Sequence, residues 1–95
     1  MVVDIRVKDL SDGVKKLEFE LRRPLEPSDL PKIQLPKIMG QGLVISGRGP
    51  IWLYGYLIHH YMHLFQFIAV YDPKIGGAVI IASHHPSFKE GEVIY

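Results

Sequence analysis

The chain contains no cysteine, which excludes disulfides and thiolate metal sites alike. It also lacks a dominant charge: 11 Lys and Arg oppose 10 Asp and Glu, for a net charge of +1. Duplex DNA or a long RNA tract demands a broad basic surface, so neither is expected as a ligand. A small phosphorylated molecule, or a short oligonucleotide held locally, suits this balance better. No apolar run is long enough to span a bilayer, because segment 51–58 is short and histidines interrupt the residues after it. The N-terminal residues alternate polar and apolar side chains, without the apolar stretch of a signal peptide. Internal repeats and low-complexity tracts are absent as well. The expectation is a cytoplasmic protein with no membrane partner, built as one domain over residues 1–95.

What is present is oily for so small a chain, 47% hydrophobic with a mean hydropathy of +0.11. Part of that apolar surface is expected to close against a second copy, giving at least a homodimer. Val3, Ile5 and Val7 alternate with Asp4, Arg6 and Lys8, the period of a half-buried strand. Leu17, Phe19 and Leu21 alternate with Glu18, Glu20 and Arg22 in the same way. Asp12-Gly13 is a turn dipeptide, so the two strands read as a hairpin. Segment 24–41 holds Pro24, Pro27, Pro31 and Pro36 and leaves room for only a short helical turn around Ser28 to Leu30. It reads either as a packed connector or as a lid over a ligand.

Leu43-Val44-Ile45 is a continuous apolar run, expected as a strand covered on both faces. Pro50 suits the first position of a helix reaching to about Leu64. Phe67 to Tyr71 reads as a further apolar strand ended by Asp72-Pro73, and Ala78 to Ala82 returns antiparallel after Gly76-Gly77. Residues 92–95 can add a short edge strand. The β-helix-β unit over 42–72 predicts parallel strands. The fold class is thus an α/β sandwich, ferredoxin-like, with one mixed sheet, one principal crossover helix (about 50–64) and a degenerate first crossover helix.

This topology sorts the polar residues into two poles. Ser46, Gly47, Arg48, Gly49, Tyr71 and Asp72 fall at the carboxyl ends of parallel strands, the edge where open α/β sheets place ligands. Arg48 there precedes a helix N-terminus, whose free N–H groups and dipole favour an anion such as phosphate. The helix runs back to the opposite edge, His60 lying roughly 15 Å along its axis from Pro50. Ser83, His84 and His85 end the antiparallel strand at that same edge, with His59 and His63 nearby. The poles stand on the order of 20 Å apart, the length of the strands between them. If Asp72 and His60 act on one substrate, different subunits must supply them.

Each feature also has a plainer reading. Asp72-Pro73 can be an ordinary turn in which the carboxylate bonds the backbone. His59 and His63, or His60 and His63, have spacings that can hold a metal on one helical face, or can simply favour the helix dipole. Ser83-His84 is a hydrogen-bonding pair or a solvated strand end. Trp52, Tyr54, Tyr56, Tyr61 and Phe65 are read as packing residues, with base stacking open to one or two.

The motifs Gly-Arg-Gly-Pro-Ile-Trp-Leu-Tyr (47–54), His-His-Tyr (59–61), Ala-Val-Tyr-Asp-Pro-Lys (69–74), Gly-Gly-Ala-Val (76–79) and Ser-His (83–84) together resemble the third family of CRISPR-associated ring nucleases. The likeness is close over residues 42–85; the first forty residues carry little of it. It implies a ferredoxin-like dimer, stacking into a tetramer, that degrades cyclic tetra-adenylate to short linear adenylates and so switches off type III CRISPR signalling. It also implies manganese-dependent RNA deadenylation exonuclease activity as an alternative on short adenylate RNA. Carried over by motif, Arg48 binds phosphate; Ser46, Gly47, Gly49, Ser83 and His84 are expected around the substrate. His60 and Asp72 are the expected catalytic pair and the expected Mn²⁺ ligands. A metal-free route with a histidine base, a non-catalytic nucleotide-binding protein, and a structural oligomerisation domain remain the competing readings.

Overall fold

The computed structural model describes residues 2–95. Six strands form one mixed sheet in chain order: β1 (Val3–Ser11), β2 (Val14–Leu21), β3 (Gly40–Gly47), β4 (Phe65–Asp72), β5 (Gly77–Ser83) and β6 (Val93–Ile94). One α-helix, α1 (Ile51–Tyr61), crosses between β3 and β4. β1 and β2 pair antiparallel through the expected hairpin, and Asp12 and Gly13 both take positive φ, 49° and 79°, as a tight hairpin turn requires. β2, β3 and β4 are mutually parallel, while β5 and β6 return antiparallel. The result is the expected ferredoxin-like α/β sandwich.

The parallel β2–β3 connection carries only a 3₁₀ helix, Pro27–Lys32, where a full crossover helix would otherwise lie. Its prolines forbid more. Leu25, Leu30, Ile33, Leu35 and Ile38 pack against the main core, so this segment is a connector and not a free lid. Asp29, 5% exposed, fastens it: both guanidinium nitrogens of Arg23 lie 3.1 Å from its two carboxylate oxygens, and Glu26 N–H donates at 2.9 Å. The Arg23 hydrogen bonds hold the Asp29 carboxyl below its usual range, helped by the backbone donor.

The main core lies between the sheet and α1, where Leu53, Leu57 and Tyr61 repeat at four-residue intervals over Leu17, Phe19, Leu43, Ile45 and Ile68. A smaller cluster on the opposite face joins Val44, Phe67, Ala69, Ala78 and Ile80, with Phe88 of the C-terminal segment stacked on Phe67 at 4.5 Å. Leu43 and Ile45 therefore face the helix and Val44 faces away, which is why this strand reads as apolar throughout.

Two boundaries differ from expectation. Pro50 is the N-cap, extended at ψ 150°, and the helix starts at Ile51. The chain is still unwinding from the sharp exit of β3, so the proline fixes φ one residue before the helix. The helix also stops at Tyr61 instead of Leu64. Tyr61 is fully buried and donates its hydroxyl to Pro36 O at 2.6 Å, and Leu64 N–H closes a tight turn onto Tyr61 O at 2.9 Å. That turn delivers Phe65 to β4 and leaves His63 beyond the end of α1.

Candidate functional site

The strand register sets the two poles at opposite edges of the sheet. β3 ends at Gly47 and β4 at Asp72, side by side in parallel, and Gly77 starts β5 opposite Asp72. His60 sits in the last turn of α1, beside Tyr61, whose ring meets Phe65 at the start of β4 with centroids 6.1 Å apart. Ser83 closes β5 at that same far edge, and His84 follows it, its N–H donating to Gln66 O at 2.7 Å.

At the first edge, Arg48 is exposed, and it is the one arginine without an ion pair among the described residues. Arg6, Arg22 and Arg23 are matched to Glu20, Asp4 and Asp29. Its loop is seated on core residues. Gly47 adopts φ 155°, and a Cβ there would lie 2.5 Å from Phe19 O. A Cβ on Gly49 would lie 2.9 Å from the Phe19 ring. The Tyr54 hydroxyl, one turn into α1, donates to Gly47 O, and its ring meets Phe19 edge-on at 5.2 Å. Burial pushes the Tyr54 phenol above its usual range, with the hydrogen bond to Gly47 acting in the opposite sense. No side chain caps the first turn of α1, so the amides beside Arg48 are not taken by a cap.

Asp72 makes the plain turn that its neighbours Pro73 and Gly76 allow. Its Oδ1 accepts Lys74 N–H at 2.9 Å, while its backbone oxygen accepts Ile75 N–H at 3.1 Å and Gly76 N–H at 2.8 Å. The bond to Oδ1 thereby fixes the carboxylate in direction. Ser46 is half-buried and, two residues after Val44, shares the sheet face opposite α1.

The histidine edge is built differently. His60 is exposed and touches Tyr61 edge-on at 4.7 Å. His63 and His84 line one shallow groove with Met39, Met62 and Gln66. Ser83 turns inward: its hydroxyl donates to Phe88 O and accepts His85 N–H at 3.0 Å, so it organises the loop that succeeds β5. His85 is likewise engaged, accepting Ser87 N–H on Nδ1 at 3.0 Å and meeting Gln41 Oε1 from Nε2 at 3.2 Å. This latch between the C-terminal segment and the start of β3 had no signal in the sequence, nor did the grip of Tyr54 on Gly47.

The expected manganese donors do not meet within one copy. Among the described residues no three His, Asp or Glu side chains converge. His60 and Asp72 stand at opposite edges, so one protomer does not hold an ion between them. No helix among the described residues is long and apolar enough to cross a membrane.

A small α/β domain with an arginine turn at one sheet edge and histidines at the other defines a class, and comparison with known proteins places it. Residues 18–95 match the family model of a CRISPR-associated protein (Cas_csx3), and the chain belongs to that family. It is also similar to a protein of Aquifex aeolicus (strain VF5), described as an uncharacterized protein, at 50% identity over 98 aligned residues covering 98% of this chain and 87% of that one.

Proposed function

We propose that this CRISPR-associated protein is a ring nuclease that opens cyclic tetra-adenylate between stacked copies of itself. The observation that carries the reading is the placement of Arg48, without an ion pair among the described residues and on a loop seated against the core, with Asp72 at one edge of the sheet and the exposed His60 and His84 at the other. A flat ring of phosphates gripped between two such edges meets both sets at once; a ligand on one protomer meets only one. Membership of the family and the motif resemblance support the same ligand. Val70 and Val79 pair on the same face as Ile45, the helix side of the sheet, and Ile81 at the β5 register shift is 41% exposed. This strip is the proposed dimer surface, with the edges left free for stacking.

Side chains of two facing copies supply the reacting groups; were Mn²⁺ bound, His60 of one copy and Asp72 of the other would hold it, and it would polarise the phosphoryl oxygen. Arg48 and the α1 N-terminus bind one phosphate and stabilise the negative charge that grows on it. Asp72 Oδ2 accepts a hydrogen bond from a ribose hydroxyl and orients it. His60 of the facing copy takes the proton of the 2′-hydroxyl, whose oxygen attacks the adjacent phosphorus. The P–O5′ bond breaks, a water molecule protonates the departing 5′-oxygen and is itself re-protonated by the His60 imidazolium, and a 2′,3′-cyclic phosphate remains.

Mass spectrometry of cyclic tetra-adenylate after incubation tests the proposal. Wild type in EDTA is expected to yield linear adenylates ending in a 2′,3′-cyclic phosphate. Activity abolished by EDTA and restored by Mn²⁺, with terminal monophosphates, would replace this route by a metal-dependent one with the ion shared between copies. Binding without decay would make the protein a nucleotide sponge, and no binding at all would remove the reading.

A further inference from the structure

We propose that Tyr54 is a positioning residue for Arg48, acting through the carbonyl of Gly47. The inference rests on the reading of Arg48 as the phosphate-binding group, and it assigns a role to a residue that touches no ligand.

The chain leaves β3 at Gly47 and enters α1 at Ile51, so three residues must reverse direction and project a guanidinium. A loop this short with two glycines is intrinsically loose. Here three contacts remove that freedom. Phe19 O stands so close to Gly47 that no side chain fits there, at 2.5 Å from an ideal Cβ. The Phe19 ring closes off Gly49, at 2.9 Å. The Tyr54 hydroxyl then holds Gly47 O from the helix side. Because the peptide group is planar, fixing that carbonyl fixes the plane that carries Arg48 N and Cα, the anchor from which the Arg48 side chain departs. The tyrosine is itself locked, its ring packed edge-on against Phe19 at 5.2 Å. Phe19 is 4% exposed and cannot yield. Among the described residues Arg48 has no acidic partner to hold it, so the backbone sets where it starts. A preorganised cation binds more tightly than one that must be ordered on binding.

Tyr54→Phe keeps the ring and removes only the hydroxyl, which makes it the decisive variant. Isothermal titration with cyclic tetra-adenylate is expected to show affinity lower by roughly three- to tenfold, the worth of one hydrogen bond. In the Arg48→Ala background the same change is expected to have no further effect on affinity. Backbone ¹⁵N relaxation of the unliganded protein is expected to show Gly47, Arg48 and Gly49 rigid in wild type and mobile in Tyr54→Phe, with the core strands unchanged. Equal losses of affinity in both backgrounds, or a loop as rigid in the variant as in wild type, would overturn the inference. Wild type that fails to bind the nucleotide would sink the phosphate reading of Arg48, and the relaxation data would then decide the role of Tyr54 on their own.

Discussion

The arginine edge and the histidine edge of the same sheet are built to opposite specifications. At the first, Arg48 hangs from a loop whose glycines abut Phe19 and whose carbonyl is gripped by Tyr54. At the second, His60 is exposed and meets Tyr61 edge-on, and His84 lies in an open groove. The difference teaches how a small domain can divide a reaction. Phosphate binding gains from a cation fixed in advance, whereas a proton-transferring imidazole that meets its target only when another copy docks can be set by that docking. The precision of the second edge would then come from the assembly.

Four substitutions sharpen or break this contrast, in descending order of effect. His60→Ala is expected to slow nucleotide decay by about 10²- to 10⁴-fold, as loss of a general base does, with cyclic tetra-adenylate affinity and melting temperature close to wild type. Arg48→Ala is expected to slow decay by about 10²- to 10³-fold and, unlike His60→Ala, to weaken titrated binding as well. Should the two variants show the same split between affinity and rate, the division of labour fails. Gly47→Ala forces a Cβ against Phe19 O, and its urea midpoint should report a loss of about 1–3 kcal/mol. Gly55→Ala on the solvent face of α1, where a Cβ meets nothing within 4 Å, should instead stabilise by about 0.5–1 kcal/mol. Equal signs for these two glycines would contradict the seating of the arginine loop.

A smaller effect concerns the connector. The Asp29 carboxyl is lowered in the folded state, first by Arg23 and then by the Glu26 backbone donor. A depressed carboxyl stabilises the fold above its unfolded value, near pH ~3.9, and that contribution disappears as pH falls through the folded value. Urea midpoints of wild type and Arg23→Ala should therefore differ fully at neutral pH and converge in acid. A gap that persists at the lowest pH would mean that Arg23 acts by packing.

Much of this architecture was legible in the residue order. The Asp12-Gly13 hairpin, the alternation from Val3 to Val7 and the uninterrupted Leu43-Val44-Ile45 run follow from periodicity and turn chemistry, which are local. The edges of the sheet followed from strand direction, and so did the separation of Asp72 from His60. The hidden features depend on contacts between distant segments. Tyr61 ends the helix early because Pro36, twenty-five residues back, accepts its hydroxyl. Asp29 is buried because Arg23 reaches it. Ser83 looked available beside His84, yet Phe88 and His85 take up its hydroxyl. Tyr54 read as a packing aromatic, and only the position of Gly47 O gives it a second task.

The most direct test mixes two inactive proteins. Arg48→Ala retains an intact His60 edge and His60→Ala an intact Arg48 edge, so stacked assemblies of both contain complete sites between unlike copies. Decay of cyclic tetra-adenylate should recover well above either variant alone, in proportion to the mixed assemblies seen by native mass spectrometry. Mixed assemblies that form in quantity and remain as inactive as their parents would contradict the shared site.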